Sequence, residues 1–200
     1  MTFHRHSRLR LVDAEEIVTC ARMVLRRLLK FSRAGIGRHD VRSGLSARRK
    51  MRVREFEADL WLPQPRADVF GFFSDAANLD LITPPWVNFQ LVTRLPIEVH
   101  VGTLIDYKLR IHGLPVRWRS KITVWEPPVR FVDEQLRGPY QLWIHEHTFA
   151  ERDGGTLICD RVQYAVPFDC LAYPLLVRGD VKRIFRYRSD TLRRRFAVPA

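Results

Sequence analysis

From Arg54 onward apolar and polar residues alternate in short runs separated by turn signals, the pattern of antiparallel strands with one buried face. In the first run, EFEADLWLP, Phe56, Ala58 and Leu60 alternate with Glu55, Glu57 and Asp59. The period then changes. In PRADVFGFFSDAANLDLIT, Val69, Phe70 and Phe73 form an apolar stripe behind Pro65, and Asp75 and Asn78 interrupt it, which predicts two short helices. The prolines of TPPW force an extended turn. VNFQLVTRL, TLIDYKLRI, PVRWRSKITVWE, VRFVDEQLR, QLWIHEHTFAE and TLICDRVQYAVP follow as six further strands. From about Cys170 to Phe196, Val177, Val181, Ile184, Phe185 and Leu192 recur at helical spacing, and Arg193, Arg194 and Arg195 suit the negative end of a helix dipole. One strand, two short helices, six strands and one long helix describe an α+β domain.

Turn chemistry predicts which side chains meet. If Asp153 and Gly154 are the central pair of a type I′ turn, Trp143 faces Tyr164, His145 faces Val162, His147 faces Asp160 and Phe149 faces Ile158 on one side of the sheet. Glu146 opposite Arg161 on the other side supports that register. A turn at Gly113 and Leu114 places Ile111 with Val116, Leu109 with Trp118, Tyr107 with Ser120 and Ile105 with Ile122, leaving Lys108, Arg110, Arg117, Arg119 and Lys121 to solvent. A turn at Pro127 and Pro128 brings Asp133 and Gln135 to the apolar side. A bulge at Gly138 and Pro139 would turn both outward, and the two placements stay open. A long sheet with one broad apolar face and a single long helix to cover it leaves volume between them. Trp118, Trp143, Phe149 and Tyr164 either fill that volume as core or wall a cavity.

The first fifty residues differ. Leu11, Val12, Ile17, Val18, Ala21, Val24, Leu25, Leu28 and Leu29 fit an amphipathic helix with Arg22, Arg26, Arg27 and Lys30 on other faces, followed by a Gly/Ser/Arg-rich stretch of linker character up to Met51. Residues 1–50 are therefore read as a basic, poorly ordered extension and 51–200 as the domain. Met51 just ahead of the first strand also fits a mis-assigned start. The net charge of +12 is concentrated there: residues 1–54 hold 15 Lys/Arg against 4 Asp/Glu, and residues 55–200 hold 19 against 18. The nearly neutral domain offers no footprint for a phosphate backbone, so no nucleic-acid partner is expected for it. Cys20, Cys159 and Cys170 are odd in number and widely spaced, which excludes a disulfide framework and a zinc knuckle and fits a reducing, cytoplasmic setting. No run reaches the roughly 18 apolar residues of a membrane span, and the N-terminus lacks a secretory signal.

The order of elements, with LWLPQPRADVFGFFSDAANLDLITPPWVNF, the run from GTLIDYKLRI to IHEHTF and the closing GGTLICDRVQYAVPF, resembles the SRPBCC or START-like superfamily over residues 52–196. It is most similar to a bacterial ligand-binding branch labelled cyclase/dehydrase-like or cell-division-inhibitor-like. The resemblance implies a helix-grip fold, a curved seven-stranded antiparallel sheet wrapped on a long C-terminal helix over a hydrophobic cavity. It implies a mouth near TPPWVNF, with Trp86 and Phe89 as gate residues; Trp86 plugging the core edge is the alternative. The resemblance also marks the extension before Met51 as a departure.

The candidate chemistry is His145, His147 and Asp160. A strand's period of two puts both histidines on one face, and the hairpin register sets Asp160 beside His147. Such a group acts as a general base or as a structural polar pair. H-x-H with Asp160 also has the elements of a zinc site, but two histidines without a further His or Cys set are a weak metal signal, so no metal or cofactor is expected. No nucleophile elbow is present, and Cys159 has the wrong parity to join Asp160. The expected function is binding of a small apolar or aromatic molecule, with Trp86, Phe89, Tyr107, Leu109, Trp118, Trp143, His145, Phe149 and Tyr164 as ligand contacts and Ser120, Asp133 and Gln135 as further polar candidates. An aromatase/cyclase or dehydratase-like enzyme acting through His147 and Asp160 is the second reading. An interaction protein working through the basic N-terminal helix is the third.

Overall fold

A computed structural model of the chain describes residues 51–167 and 177–197. The N-terminal helix, the linker before Met51, Cys170 and the first turns expected after it lie outside the described residues. The elements run β1 (Arg54–Leu62), α1 (Arg66–Ser74), two 3-10 turns (Ala76–Leu79 and Pro85–Val87), β2 (Gln90–Leu91), β3 (Leu104–Ile111), β4 (Leu114–Glu126), β5 (Arg130–Arg137), β6 (Leu142–Arg152), β7 (Gly155–Ala165) and α2 (Arg178–Arg195). The strands form a seven-stranded sheet in the order β1-β7-β6-β5-β4-β3-β2, with every pairing antiparallel. This is the helix-grip arrangement.

The β6–β7 hairpin turns on Asp153 and Gly154, both at positive φ, and pairs Trp143 with Tyr164, His145 with Val162, His147 with Asp160 and Phe149 with Ile158, as the turn chemistry predicts. Glu146 does stand opposite Arg161. Each nevertheless takes another partner, Arg130 at 2.9 Å for Glu146 and Glu57 at 2.8 Å for Arg161.

The β3–β4 turn corrects the sequence reading. It is built on His112 (φ 48°) and Gly113 (φ 79°), so Tyr107 pairs with Trp118, Leu109 with Val116 and Ile105 with Ser120. A type I′ turn needs two successive residues at positive φ, which Leu114 resists and His112 tolerates. Relative to the expectation the pairing slips by two residues, so every side chain keeps its face. The expected strand VNFQLVTRL is also corrected. It contracts to Gln90–Leu91 because the amides of Val92 and Thr93 both converge on the Asp106 carbonyl, at 2.8 and 3.1 Å, which ends the ladder. TPPW, expected as an extended turn, closes instead into a 3-10 turn capped by Asn88 at φ 47°.

Two irregularities in the β4–β5 pairing, between Arg119 and Ser120 and between Ile122 and Val124, bend the sheet. The second lets both Ile122 and Trp125, of opposite parity, line the concave side. Three packed clusters surround that side. Phe70, Phe72, Phe131, Phe149, Ile158 and Leu192 belong to the one beneath α1. Val162, Tyr164, Val181 and Phe185 belong to the one where α2 meets the sheet. Ile105, Ile122 and Ala76 form the third. Among the described residues, the space between them is not filled.

Candidate functional site

That space is a cavity of about 400 Å³, bounded by β3 to β6, the end of α1, the 3-10 turns and α2. Tyr107 and Trp118 stack at 5.8 Å between centroids, Trp118 meets Trp143 edge-on at 5.5 Å, and Phe89 packs on Tyr107 at 5.1 Å. Trp86, 45% exposed, reaches across to α2, where it meets the Tyr187 ring at 5.4 Å and carries the Arg183 guanidinium at 4.2 Å.

Of the residues expected as ligand contacts, Trp86, Phe89, Tyr107, Leu109, Trp118, Trp143 and His145 line this cavity, as does His147. Phe149 and Tyr164 do not. Phe149 (1% exposed) is locked among Phe70, Phe73 and Phe131, and Tyr164 (2% exposed) packs between Trp143 and Tyr140. Both rings point to the concave side, but α1 and α2 descend on them. Which stretch of an apolar face its helices cover is decided by helix placement and not by strand parity.

The polar end of the cavity is a buried group of two imidazoles and two carboxylates. Pairing sets Asp133 beside His145 and Asp160 beside His147. The two rings lie 3.8 Å apart, and Phe131 stacks on His147 at 4.3 Å. Behind them, Asp160 Oδ1 accepts a hydrogen bond from His145 Nε2 at 3.0 Å and touches His147 Nδ1 at 2.6 Å, a contact outside hydrogen-bond angles. On the cavity side, Asp133 Oδ2 faces His145 Nδ1 at 3.8 Å and His147 Nε2 at 3.6 Å. The other Asp133 oxygen accepts from Ser120 Oγ at 3.1 Å, and Ser120 Oγ accepts from Trp118 Nε1 at 3.0 Å. Gln135, by contrast, spends its amide on the backbone of Tyr140, at 2.8 and 3.3 Å, and does not line the cavity.

Burial, with the neighbouring His147, pushes the His145 pKa down to about 4 against the pull of both carboxylates. For His147, burial also opposes the charged form, yet Asp160 and Asp133 outweigh it and raise the pKa. Burial disfavours the charge on Asp160, but both imidazoles hold it well below the usual carboxylate range. Asp133 is likewise lowered against its burial by His147, His145 and Ser120. Burial keeps the Tyr107 phenol protonated far into alkaline conditions. One imidazole held neutral, one drawn toward its charged form and two carboxylates thus share one wall, which equips it for proton transfer as well as for hydrogen bonding. Asp133, His145 and His147 also place ligand-type atoms within 4.8 Å of one another.

Sequence reasoning missed three elements of this site. Arg188 lines the cavity and its buried Nε has no hydrogen-bond partner among the described residues. Its signal was present, because Arg188 occupies the place of an apolar residue in the stripe of Val181, Phe185 and Leu192. Tyr140 lines the wall from the β5–β6 connection. His112, at the tip of the β3–β4 hairpin, bonds Asp180 of α2 at 2.7 Å across the rim.

Comparison with known proteins agrees with this architecture. Solved structures with the same fold include Ms6760 from Mycobacterium smegmatis, 17% identical, at a TM-score of 0.53 over 69% of this chain and 87% of that one. Ginseng major latex-like protein 151 from Panax ginseng is 9% identical, with a TM-score of 0.56 over 73% and 99%. A norcoclaurine synthase point mutant from Thalictrum flavum, in complex with a transition-state analogue, is 14% identical, with a TM-score of 0.54 over 72% and 98%. At such identities the likeness is one of fold alone. No curated protein matches the sequence. Residues 62–193 match the family model described as polyketide cyclase / dehydrase and lipid transport, and the chain therefore belongs to that family, within the SRPBCC superfamily.

Proposed function

We propose that the domain binds a small apolar or aromatic molecule bearing an acidic oxygen, held in the cavity between the aromatic wall and Arg188. The observation that carries this reading is a volume of about 400 Å³, unfilled by the described residues and walled by Trp118, Trp143, Tyr107 and Phe89, on which a few polar groups converge. A cavity this large in an ordinary core would cost several kcal/mol of lost packing, and pockets with mostly apolar walls and a few convergent polar groups are the usual form of small-molecule sites. Arg188 supports the acidic group, because a buried guanidinium nitrogen without a partner among the described residues gains a charge-assisted hydrogen bond from an anionic oxygen. The test is native mass spectrometry of protein purified from its own cells. A co-purifying small molecule, absent from Trp143→Arg, is the expected result. No bound species and no thermal shift across apolar and aromatic acids would overturn the reading.

A cyclase or dehydratase-like activity on a polyketide-like substrate is the second reading. It is favoured by the placement of His145 and His147 on the cavity wall within reach of two carboxylates. In that role the His147–Asp160 pair exchanges a proton with the bound molecule. Product formation that His147→Gln abolishes while ligand affinity persists would establish it. Turnover unaffected by that substitution would remove it.

A further inference from the structure

The arrangement of the four buried groups is not that of an ordinary charge relay. Each imidazole turns one nitrogen to Asp160 and the other to Asp133: His145 Nε2 and His147 Nδ1 meet Asp160 Oδ1 at 3.0 and 2.6 Å, while His145 Nδ1 and His147 Nε2 face Asp133 Oδ2 at 3.8 and 3.6 Å. The Asp160 side is closed by direct contacts. The Asp133 side is open, its separations too long for direct hydrogen bonds. Two ligand atoms sharing a tetrahedral zinc ion at bond lengths of about 2.0–2.2 Å stand about 3.4 Å apart, a few tenths of an ångström below these spacings.

We propose that Asp133, His145 and His147 bind one divalent transition-metal ion at the polar end of the cavity, through Asp133 Oδ2, His145 Nδ1 and His147 Nε2. The other half of the arrangement is what such a site requires. Ligating histidines need a carboxylate or carbonyl on the remaining ring nitrogen to set tautomer and orientation, and Asp160 stands at that nitrogen of both rings, hydrogen-bonded to His145 and 2.6 Å from His147. The ligating carboxylate needs its second oxygen held, and the Ser120 hydroxyl holds Asp133 Oδ1 at 3.1 Å. Charge points the same way. Two carboxylates set against two imidazoles in a largely apolar surround carry an excess of negative charge, which a divalent cation cancels. Three protein ligands leave a position open toward the cavity, the plan of sites that take water or a ligand oxygen as the next donor. The third ligand differs from the sequence expectation, which named Asp160, beside His147, as the third donor and read the pattern as a weak metal signal. Asp133 joins only because β5 pairs with β6.

The inference does not depend on what fills the apolar part of the cavity, since metal uptake is read without an organic ligand. The full-length chain, stripped with chelator, is titrated with Co²⁺ and then with Zn²⁺. One equivalent of Co²⁺ with the visible absorption of a low-coordinate site, displaced by one equivalent of Zn²⁺ that survives gel filtration, is the expected result. Asp133→Asn and His147→Gln, checked for folding by near-ultraviolet circular dichroism, abolish uptake. Asp160→Asn keeps the one-to-one stoichiometry with affinity lowered by about 10- to 100-fold. Absence of stoichiometric uptake by the wild-type chain overturns the proposal whether or not the variants fold. So does uptake that persists in Asp133→Asn and His147→Gln, or that disappears in a His4→Ala/His6→Ala variant with the cavity intact.

Discussion

His112 Nε2 and Asp180 Oδ2 stand 2.7 Å apart across 68 residues of sequence, joining the tip of the β3–β4 hairpin to the first turn of α2. Both residues lie on the cavity rim, together with Arg110 and Arg183. The contact straps the hairpin to α2 beside the cavity, and its strength follows the charge of one imidazole.

The bond to Asp180 raises the His112 pKa above its ordinary 6.5, with burial opposing. For a group whose pKa is raised in the folded state, the stabilisation is complete below the unfolded value and is lost as pH rises through the folded value. The strap should therefore hold in mild acid and loosen in mild alkali. Ligand release, followed by stopped-flow tryptophan fluorescence, is expected to quicken severalfold as pH rises from about 6 to 8.5. Asp180→Asn should show fast release at every pH. A release rate independent of pH in the wild type would rule the strap out.

Phe149 separates core from cavity. Its burial among Phe70, Phe73 and Phe131, away from the cavity lining, predicts that Phe149→Ala costs about 3–5 kcal/mol in denaturant unfolding. Ligand affinity at a temperature where the variant is folded should stay within about twofold. A large affinity loss with little change in stability would place Phe149 in the site after all.

At Arg188 the opposite split is expected. Arg188→Met keeps the length and apolar stem of the side chain and removes its charge, so stability should change little. Affinity for a carboxylate-bearing aromatic ligand should fall about 10- to 100-fold, the worth of a charge-assisted hydrogen bond, while affinity for its neutral amide analogue should hold. Isothermal titration of the two ligands compares them directly. Equal losses would mean that Arg188 supports the helix and not the ligand.

Gly155 opens β7 directly against β1. A Cβ there would press on the Leu62 carbonyl oxygen and the Trp61 ring. Because backbone cannot rotate away as a side-chain tip can, Gly155→Ala should cost about 1–3 kcal/mol, measured as a lowered thermal midpoint. Gly154→Ala, whose Cβ would meet open space but whose φ is 73°, should also destabilise, through backbone strain alone. A neutral Gly155→Ala would show that β1 can shift relative to β7.

Much of the fold was legible because it depends on local chemistry. The Asp153–Gly154 turn fixed the β6–β7 register, and through it the neighbourhood of His145, His147 and Asp160. The misplaced β3–β4 turn did no harm to the faces, because a two-residue slip preserves parity. Asp133 was less accessible. The sequence register through Pro127 and Pro128 matches its actual pairing with Ile122, yet it does so through a three-residue loop and a compensating bulge, neither of which leaves a signal.

What the sequence by itself determined was the series of elements, the apolar face of each strand and the concentration of positive charge ahead of the domain, all products of short-range periodicity and composition. Only the tertiary structure decided which part of that face α1 and α2 cover and which part remains cavity. It alone placed Phe149 and Tyr164 in the core, Arg188 on the wall, Asp133 opposite both histidines and His112 against Asp180. These contacts join segments far apart in the chain, and their geometry depends on sheet curvature and helix placement, which no single stretch of residues encodes.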